Sequence, residues 1–192
     1  MRHEGHPYYV GLLKAAELHG ATHQAAMEFQ VVTNKRLPLL RVGRSSIAFY
    51  FRKDLAAISS GIQDRKTDTG RMRVSSAELT VFDLVRYPHA AGGLDNIATV
   101  IATLADQLNA GKVATLSAAY ERSVSQRVGY LLDTFGRSER AAALHEALTR
   151  SPALPWVELE PSQASDADLA PEPRERNERW HVIVRRLPEK DE

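Results

Sequence analysis

The chain of 192 residues carries 25 basic and 24 acidic residues, a net charge of +1, and no cysteine. Its length and its apolar content of 43% support a globular core, while the missing thiols exclude disulfides, cysteine catalysis and thiolate-bound metals. No apolar run approaches the roughly 20 residues of a membrane span, and residues 1–10 lack the apolar stretch of a signal peptide, so we expect a soluble, cytoplasmic protein without membrane contact.

The first third of the chain predicts a helix followed by an antiparallel sheet. Residues 7–20 open with a proline and close with a glycine, and their apolar side chains recur at helical spacing, which indicates an amphipathic helix. Three runs rich in β-branched and aromatic residues, at 29–33, 37–42 and 46–51, are separated by polar turns and predict strands. Residues 62–74 predict one further hairpin with the sequence DTG at its tip.

The middle of the chain predicts helices. Ser75 and Glu78 have the spacing of a capping box, which predicts a helix over residues 76–86. Pro88 ends this helix, since proline denies the preceding residue the helical region. Asp95 is positioned to cap the helix that follows.

Apolar positions at helical spacing continue from there to residue 149. The next predicted helix has an apolar stripe formed by Ile97, Val100, Ile101, Leu104 and Leu108, and it is expected to end at Asn109 and Gly111. Two more helices are predicted over residues 113–120 and 124–135, and Ser138 can cap a last one that runs to about Thr149. Four or five packed helices are therefore expected.

The composition changes again at residues 151–155. Residues 155–161 predict a short strand, residues 162–178 a polar loop, and residues 180–186 a strand with Trp180 on its apolar face. Since a lone strand is not stable in water, we expect the last strand to return to the first sheet.

These elements predict a single domain of the α+β class over residues 1–192. Its antiparallel sheet is built from about residues 7–75 and 155–187, and it packs against the helical array of about residues 76–149.

Basic residues are concentrated in the predicted sheet. Residues 35–53 contain no acid, and their basic residues are Lys35, Arg36, Arg41, Arg44, Arg52 and Lys53. The predicted hairpin adds Arg65, Lys66, Arg71 and Arg73. Such a cluster can bind phosphates without reading sequence, with Tyr50 stacking on a base. Basic residues on edge strands also protect a sheet against aggregation, and the sequence leaves both interpretations open.

The segment RYPHAAGGLDN, residues 86–96, connects two predicted helices. Its two glycines can expose backbone N–H groups to a phosphate at a helix N-terminus, with Arg86 or His89 assisting. In the simpler interpretation Pro88 ends one helix, and Asp95 begins the next with a carboxylate that would repel an anion. We favour the simple joint and keep Arg86 and His89 as candidate binding residues.

No metal or cofactor site is predicted. His19 and His23 have the i, i+4 spacing of a metal pair, but Gly20 between them is expected to end the helix. The sequence contains no glycine-rich nucleotide-binding motif, no nucleophile elbow and no paired-cysteine motif.

Several blocks, in their order along the chain, resemble the C-terminal domain of the AbiEi antitoxin family. The most specific are AELHG at residues 16–20, DLVRYPHAAGGLDN at 83–96 and QRVGYLLD at 126–133, and the resemblance extends over about residues 7–187. It implies an antitoxin of a bacterial abortive-infection system whose toxin partner is a nucleotidyltransferase. Members of the family usually begin with a winged helix-turn-helix that binds the operator. Only six residues precede Pro7, which leaves no room for this domain, so the resemblance by itself does not imply operator binding or autoregulation of this polypeptide.

Three functional hypotheses follow. In the first, the chain is a non-enzymatic antitoxin domain that engages RNA or an acidic partner surface through the basic residues of the sheet. In the second, it is an enzyme that modifies the toxin or reverses the toxin's modification, with Asp64, Asp68 or His89 as participants. In the third, it is a DNA-binding regulator, for which positive charge is the only support.

Overall fold

The computed structural model describes residues 6–21, 28–68, 70–136, 138–150, 153–164 and 171–190. They form a six-stranded sheet, a layer of helices and a small three-stranded sheet. The strands of the large sheet are β1 (Tyr8–Val10), β2 (Phe29–Thr33), β3 (Leu40–Val42), β4 (Ser45–Phe51), β5 (Ile62–Thr67) and β6 (Gly70–Ser75). The helices are α1 (Leu12–Leu18), α2 (Ala77–Arg86), α3 (Leu94–Leu104), α4 (Ala110–Ser117), α5 (Arg122–Phe135) and α6 (Ser138–Thr149). The small sheet contains β7 (Val157–Glu158), β8 (Glu175–Asn177) and β9 (Val182–Val184).

The large sheet has the strand order β3-β4-β2-β1-β6-β5. The predicted hairpin over residues 62–74 is confirmed as the antiparallel pair of β5 and β6. However, β2 runs parallel to β4 and β1 runs parallel to β6, so the prediction of a purely antiparallel sheet is wrong. Turn residues specify only those strands that a tight turn connects, and no tight turn joins the members of either parallel pair.

The predicted helix over residues 7–20 is only partly correct, because its first residues form strand β1. Tyr9 of this strand is fully buried. At Gly11, which follows the strand, an added Cβ would lie 3.1 Å from the Tyr9 ring and 3.2 Å from Val32. The chain therefore passes close to its neighbours before α1 begins at Leu12.

Helix α2 is confirmed, but its cap differs from the prediction by one residue. The hydroxyl of Ser76 accepts the backbone N–H of Leu79 at 3.3 Å, whereas Ser75 is the last residue of β6. The carboxylate of Glu78 accepts the backbone N–H of Asn109 at 2.9 Å instead of closing a capping box. Glu78 thus ties α2 to the start of α4.

The predicted apolar stripe lies in the core, and each of its residues is at most 2% exposed: Ile97, Val100, Ile101, Leu104 and Leu108. However, α3 ends at Leu104, so Leu108 lies beyond the helix. Asn109 does not end a helix as predicted but begins α4, where its side chain accepts the backbone N–H of Lys112 at 3.0 Å. One apolar cluster extends from Tyr9 to Val184 and joins the large sheet, the helices and the small sheet. None of the described helices combines the length and apolar character needed to cross a membrane.

The C-terminal strand does not return to the large sheet as predicted. It is β9, the central strand of the small sheet, between β7 and β8. Trp180 before it is fully buried against Gly129 of α5, and the side chain of Gln126 donates to the carbonyl of Trp180 at 2.9 Å. β8 lies inside the predicted polar loop of residues 162–178, of which residues 165–170 lie outside the described chain. The α+β class is confirmed, with two sheets in place of one.

Candidate functional site

Five of the predicted binding residues are exposed around β4: Lys35, Arg36, Arg41, Arg44 and Lys53. We call these five residues the basic sheet edge. Lys35 and Arg36 follow the carboxyl end of β2, and Lys53 follows that of β4, so these three lie at the same end of two parallel neighbours. Arg41 and Arg44 lie in the β3–β4 hairpin, at the other end of the seven-residue strand β4 and about 20 Å away.

Two more predicted residues, Arg71 and Arg73, lie on β6. In the observed strand order β6 is three positions away from β4, a separation of about 14 Å. The hairpin of β5 and β6 therefore does not extend the basic sheet edge in space, although it follows closely in sequence.

Arg52 was predicted to be a surface residue, and the structure corrects this. It is 4% exposed. Its guanidinium donates to the carbonyl of Ala119 at 2.6 Å and lies 4.3 Å from the centre of the Tyr120 ring. Arg52 thus anchors the end of β4 to the segment between α4 and α5.

Beside Arg52 lies a carboxylate that sequence reasoning missed. Asp83 of α2 is fully buried, and it accepts the hydroxyl of Tyr9 at 2.7 Å and that of Tyr120 at 2.6 Å. Burial raises the pKa of Asp83 to about 6, although the two tyrosine hydrogen bonds and the nearby charges of Arg52 and Arg86 oppose the rise. The only sequence signal is a single acid within the run LTVFDLV, residues 79–85.

This group joins three parts of the fold, since Tyr9 belongs to β1, Asp83 to α2 and Tyr120 to the segment between α4 and α5. Burial also raises the pKa of both tyrosines, with the Asp83 charge adding to the effect, so both hydroxyls keep their protons and donate. Every hydroxyl and carboxylate oxygen in the group has a partner. We interpret the group as a buried hydrogen-bond network that holds these three parts of the fold together.

Arg86 and Tyr87 after α2 fold back onto the protein. Arg86 forms an ion pair with Glu121 at 2.8 Å. The hydroxyl of Tyr87 donates to the carbonyl of Phe51 at 2.7 Å, and its ring packs 5.5 Å from that of Tyr50. Tyr50 therefore packs on the side of the sheet that faces the helices, and its stacking on a base stays a prediction.

The joint itself differs from the prediction at Asp95. The helix α3 begins after Gly93, which caps it without a side chain, and Gly92 and Gly93 have positive φ values of 74° and 92°. Asp95 lies in the first turn, where both carboxylate oxygens accept from Arg186, at 2.7 and 3.0 Å. The argument that Asp95 caps the helix and repels an anion is thus wrong, because a C-terminal arginine neutralises it.

A cavity of about 550 Å³ opens beside this joint. Its walls come from residues 85–97, from α5 and from residues 159–162, and most of the lining is apolar. Its charged or titratable lining residues are Arg86, His89, Arg127 and Glu160. A small molecule with an apolar body fits such a space, but the mixture of charges selects no particular class.

The residues that the enzyme hypothesis names lie in two separate parts of the fold. Asp64 and Asp68 are exposed on the β5–β6 hairpin, and His89 is exposed in the joint. His19 interacts through its Nε2 with the carbonyl of Ser75 at 2.8 Å, and His23 lies outside the described residues. Within the described chain, no three histidine or carboxylate side chains form a group able to hold a metal ion.

Comparison of the sequence with known protein families identifies a family of antitoxins. A model of the AbiEi antitoxin C-terminal domain matches residues 9–134, and the chain belongs to that family. Membership supports an antitoxin role, and an antitoxin in general acts against a toxin partner. No curated protein matches the sequence.

The fold is also similar to the crystal structure of the RV2827C protein from Mycobacterium tuberculosis, with a TM-score of 0.71 at 14% identity. The match covers 95% of this chain and 64% of that chain, so the chain spans a little under two thirds of that protein's length. At this identity the likeness shows a shared fold alone.

Proposed function

We propose that this chain is a cytoplasmic, non-enzymatic antitoxin that counteracts a nucleotidyltransferase toxin in bacterial phage defence. Its point of contact is the basic sheet edge, which engages RNA or an acidic partner surface. The observation that supports this most is the charge of residues 35–53, where five exposed cations occur without a single acid. Exposed positive charge on this scale attracts polyanions over distances near the Debye length.

Charge reversal tests the proposal. The triple variant Arg41→Glu, Arg44→Glu and Lys53→Glu is expected to abolish rescue of growth from the cognate toxin, sought first in the adjoining gene. Arg52 is left unchanged because a carboxylate buried beside Asp83 would unfold the protein. Rescue is measured by colony counts after co-expression of toxin and antitoxin.

A matched control carries the same change in net charge on another surface. Lys112, Arg174 and Arg176 are exposed, and their replacement by glutamate is expected to leave rescue intact. Equal rescue by both triple variants contradicts the proposal, provided that circular dichroism shows both to be folded.

A DNA-binding regulator remains the alternative, and it is supported by the same exposed charge. It predicts binding to the operator whose affinity falls steeply with salt, because each phosphate contact releases counterions. A gel shift with operator DNA that is insensitive to salt contradicts this mechanism.

A further inference from the structure

We propose that the face of the large sheet opposite to α2 binds single-stranded nucleic acid by stacking bases on partly exposed aromatic rings. This inference rests on the proposed function, in which the basic sheet edge engages RNA or a partner, and it specifies the ligand. We call this surface the outer aromatic face, and it consists of Tyr8, Phe29, Phe49 and Phe51.

Strand alternation places these rings on the side of the sheet opposite to the residues that face α2. Successive side chains of β4 point to opposite faces, and Tyr50 faces the helices through its contact with Tyr87. Phe49 and Phe51 on either side of it therefore point to the opposite face.

The strand register brings the other two rings to the same face. Phe49 is paired with Val31 of β2, and Phe29 lies two residues before Val31. Phe51 is paired with Thr33, which is in turn paired with Tyr8 of β1. The four rings thus surround Val31 on three adjacent strands.

The rings are accessible. All four are partly exposed. Phe49 and Phe51 belong to neither of the apolar clusters found among the described residues, whereas Phe29 packs against the small cluster that includes Ala15 of α1 and so lies at the margin of the open face. On the neighbouring strand β3, Leu40 is 49% and Val42 is 58% exposed, so the apolar surface continues to the edge of the sheet.

Cations accompany the rings. The guanidinium of Arg36 lies 4.6 Å from the centre of the Phe51 ring. The ammonium of Lys14 lies 5.8 Å from the centre of the Phe29 ring, while it also pairs with Glu17. Arg44 stands at the far end of β4. An aromatic strip with positive charge at both ends matches a strand whose bases stack while its phosphates pair with arginines.

This combination favours nucleic acid over an apolar protein partner. The core of a protein interface is depleted of charged residues, whereas here two of the four rings have a cation within 6 Å. The ligand must be single-stranded, because bases inside a duplex have no free face to stack on a ring.

Fluorescence anisotropy with the purified full chain tests the inference. The probes are labelled oligouridylate and oligothymidylate of about 12 nucleotides, within the site sizes of such proteins, and a duplex of equal length. Both single strands are expected to bind more tightly than the duplex, and the tighter of the two identifies RNA or DNA as the ligand. Preference for the duplex, or absence of binding, overturns the inference.

Two variants of β4 separate stacking from folding. Phe49→Leu with Phe51→Leu is expected to weaken single-strand binding about tenfold, whereas Tyr50→Leu, on the opposite face of the same strand, is expected to bind like the wild type. Equal affinity of the double variant and the wild type overturns the inference. If circular dichroism shows the double variant to be unfolded, ultraviolet crosslinking of the wild type decides.

Crosslinking gives an independent readout, because trypsin cleaves after Arg44 and Arg52 and releases residues 45–52. Fragmentation of the crosslinked peptide is expected to place the nucleotide on Phe49 or Phe51, and a nucleotide on Tyr50 overturns the inference. The rescue assay distinguishes failure of this inference from failure of the proposed antitoxin function. If the wild type rescues growth without binding oligonucleotides, the antitoxin role stands and the inference about this face is overturned.

Discussion

Alanine at Gly129 is expected to lower the free energy of unfolding by at least about 3 kcal/mol, since overpacking of a rigid site reaches or exceeds this range. A Cβ at this position of α5 would overlap the ring carbons Cε3, Cζ3 and Cη2 of Trp180. The ring has no free space to move into. It is fully buried, and its indole N–H donates to the carboxylate of Asp133 at 2.6 Å.

Chemical denaturation in urea, followed by far-ultraviolet circular dichroism, measures this effect. Gly111→Ala is a matched control, because Gly111 is an exposed residue of α4 where the new Cβ would meet only the side chain of Asn109 at 3.3 Å. Alanine stabilises an exposed helical position by up to about 1 kcal/mol relative to glycine. A Gly129→Ala protein as stable as the Gly111→Ala protein would show that Trp180 does not fix the small sheet to α5.

Asp83→Asn is expected to change how stability depends on pH. The folded-state pKa of Asp83 is raised from 3.8 to about 6, so its contribution to stability is fully present below about pH 4 and is lost as the pH rises through 6. Between about pH 4.5 and about pH 7.5 the wild type should therefore lose about 2 kcal/mol relative to the variant. Asparagine can accept from one tyrosine and donate to the other, which keeps the buried hydroxyls satisfied.

Urea denaturation of both proteins at the two pH values provides the measurement. A difference between wild type and variant that stays constant with pH argues against a raised pKa at Asp83. Carbon NMR of the Asp83 carboxyl group supplies a direct check, with an expected midpoint near pH 6.

Local patterns predicted most of the elements well. The alternation of residues 46–51 predicted β4, and the apolar spacing from Ile97 to Leu104 predicted the buried face of α3. Caps were less accurate, because several polar residues near a helix start compete for the same backbone N–H groups. Ser76 replaced Ser75 in this way. At α3 the reason differs, because Gly93 precedes the helix without a side-chain hydrogen bond while the carboxylate of Asp95 accepts from Arg186.

The candidate site was predicted only in part. The exposure of Lys35, Arg36, Arg41, Arg44 and Lys53 agrees with the expectation of a basic surface, although their binding role stays a prediction. The sequence could not distinguish Arg52 from them, because its burial depends on a carbonyl 67 residues away. Nor could it distinguish Tyr50 from Phe49, since the side of β4 that faces the helices is decided by α2 and the residues after it.

The sequence by itself determined the α+β class, the positions of most helices and strands and, through ordered blocks such as RYPHAAGGLDN, the family. These depend on spacing and residue type within short segments. Only the tertiary structure decided the parallel strand pairs, the separate C-terminal sheet and the burial of Asp83 between two tyrosines. All three depend on contacts between residues far apart in the chain, whose free energy appears only once the layers have packed.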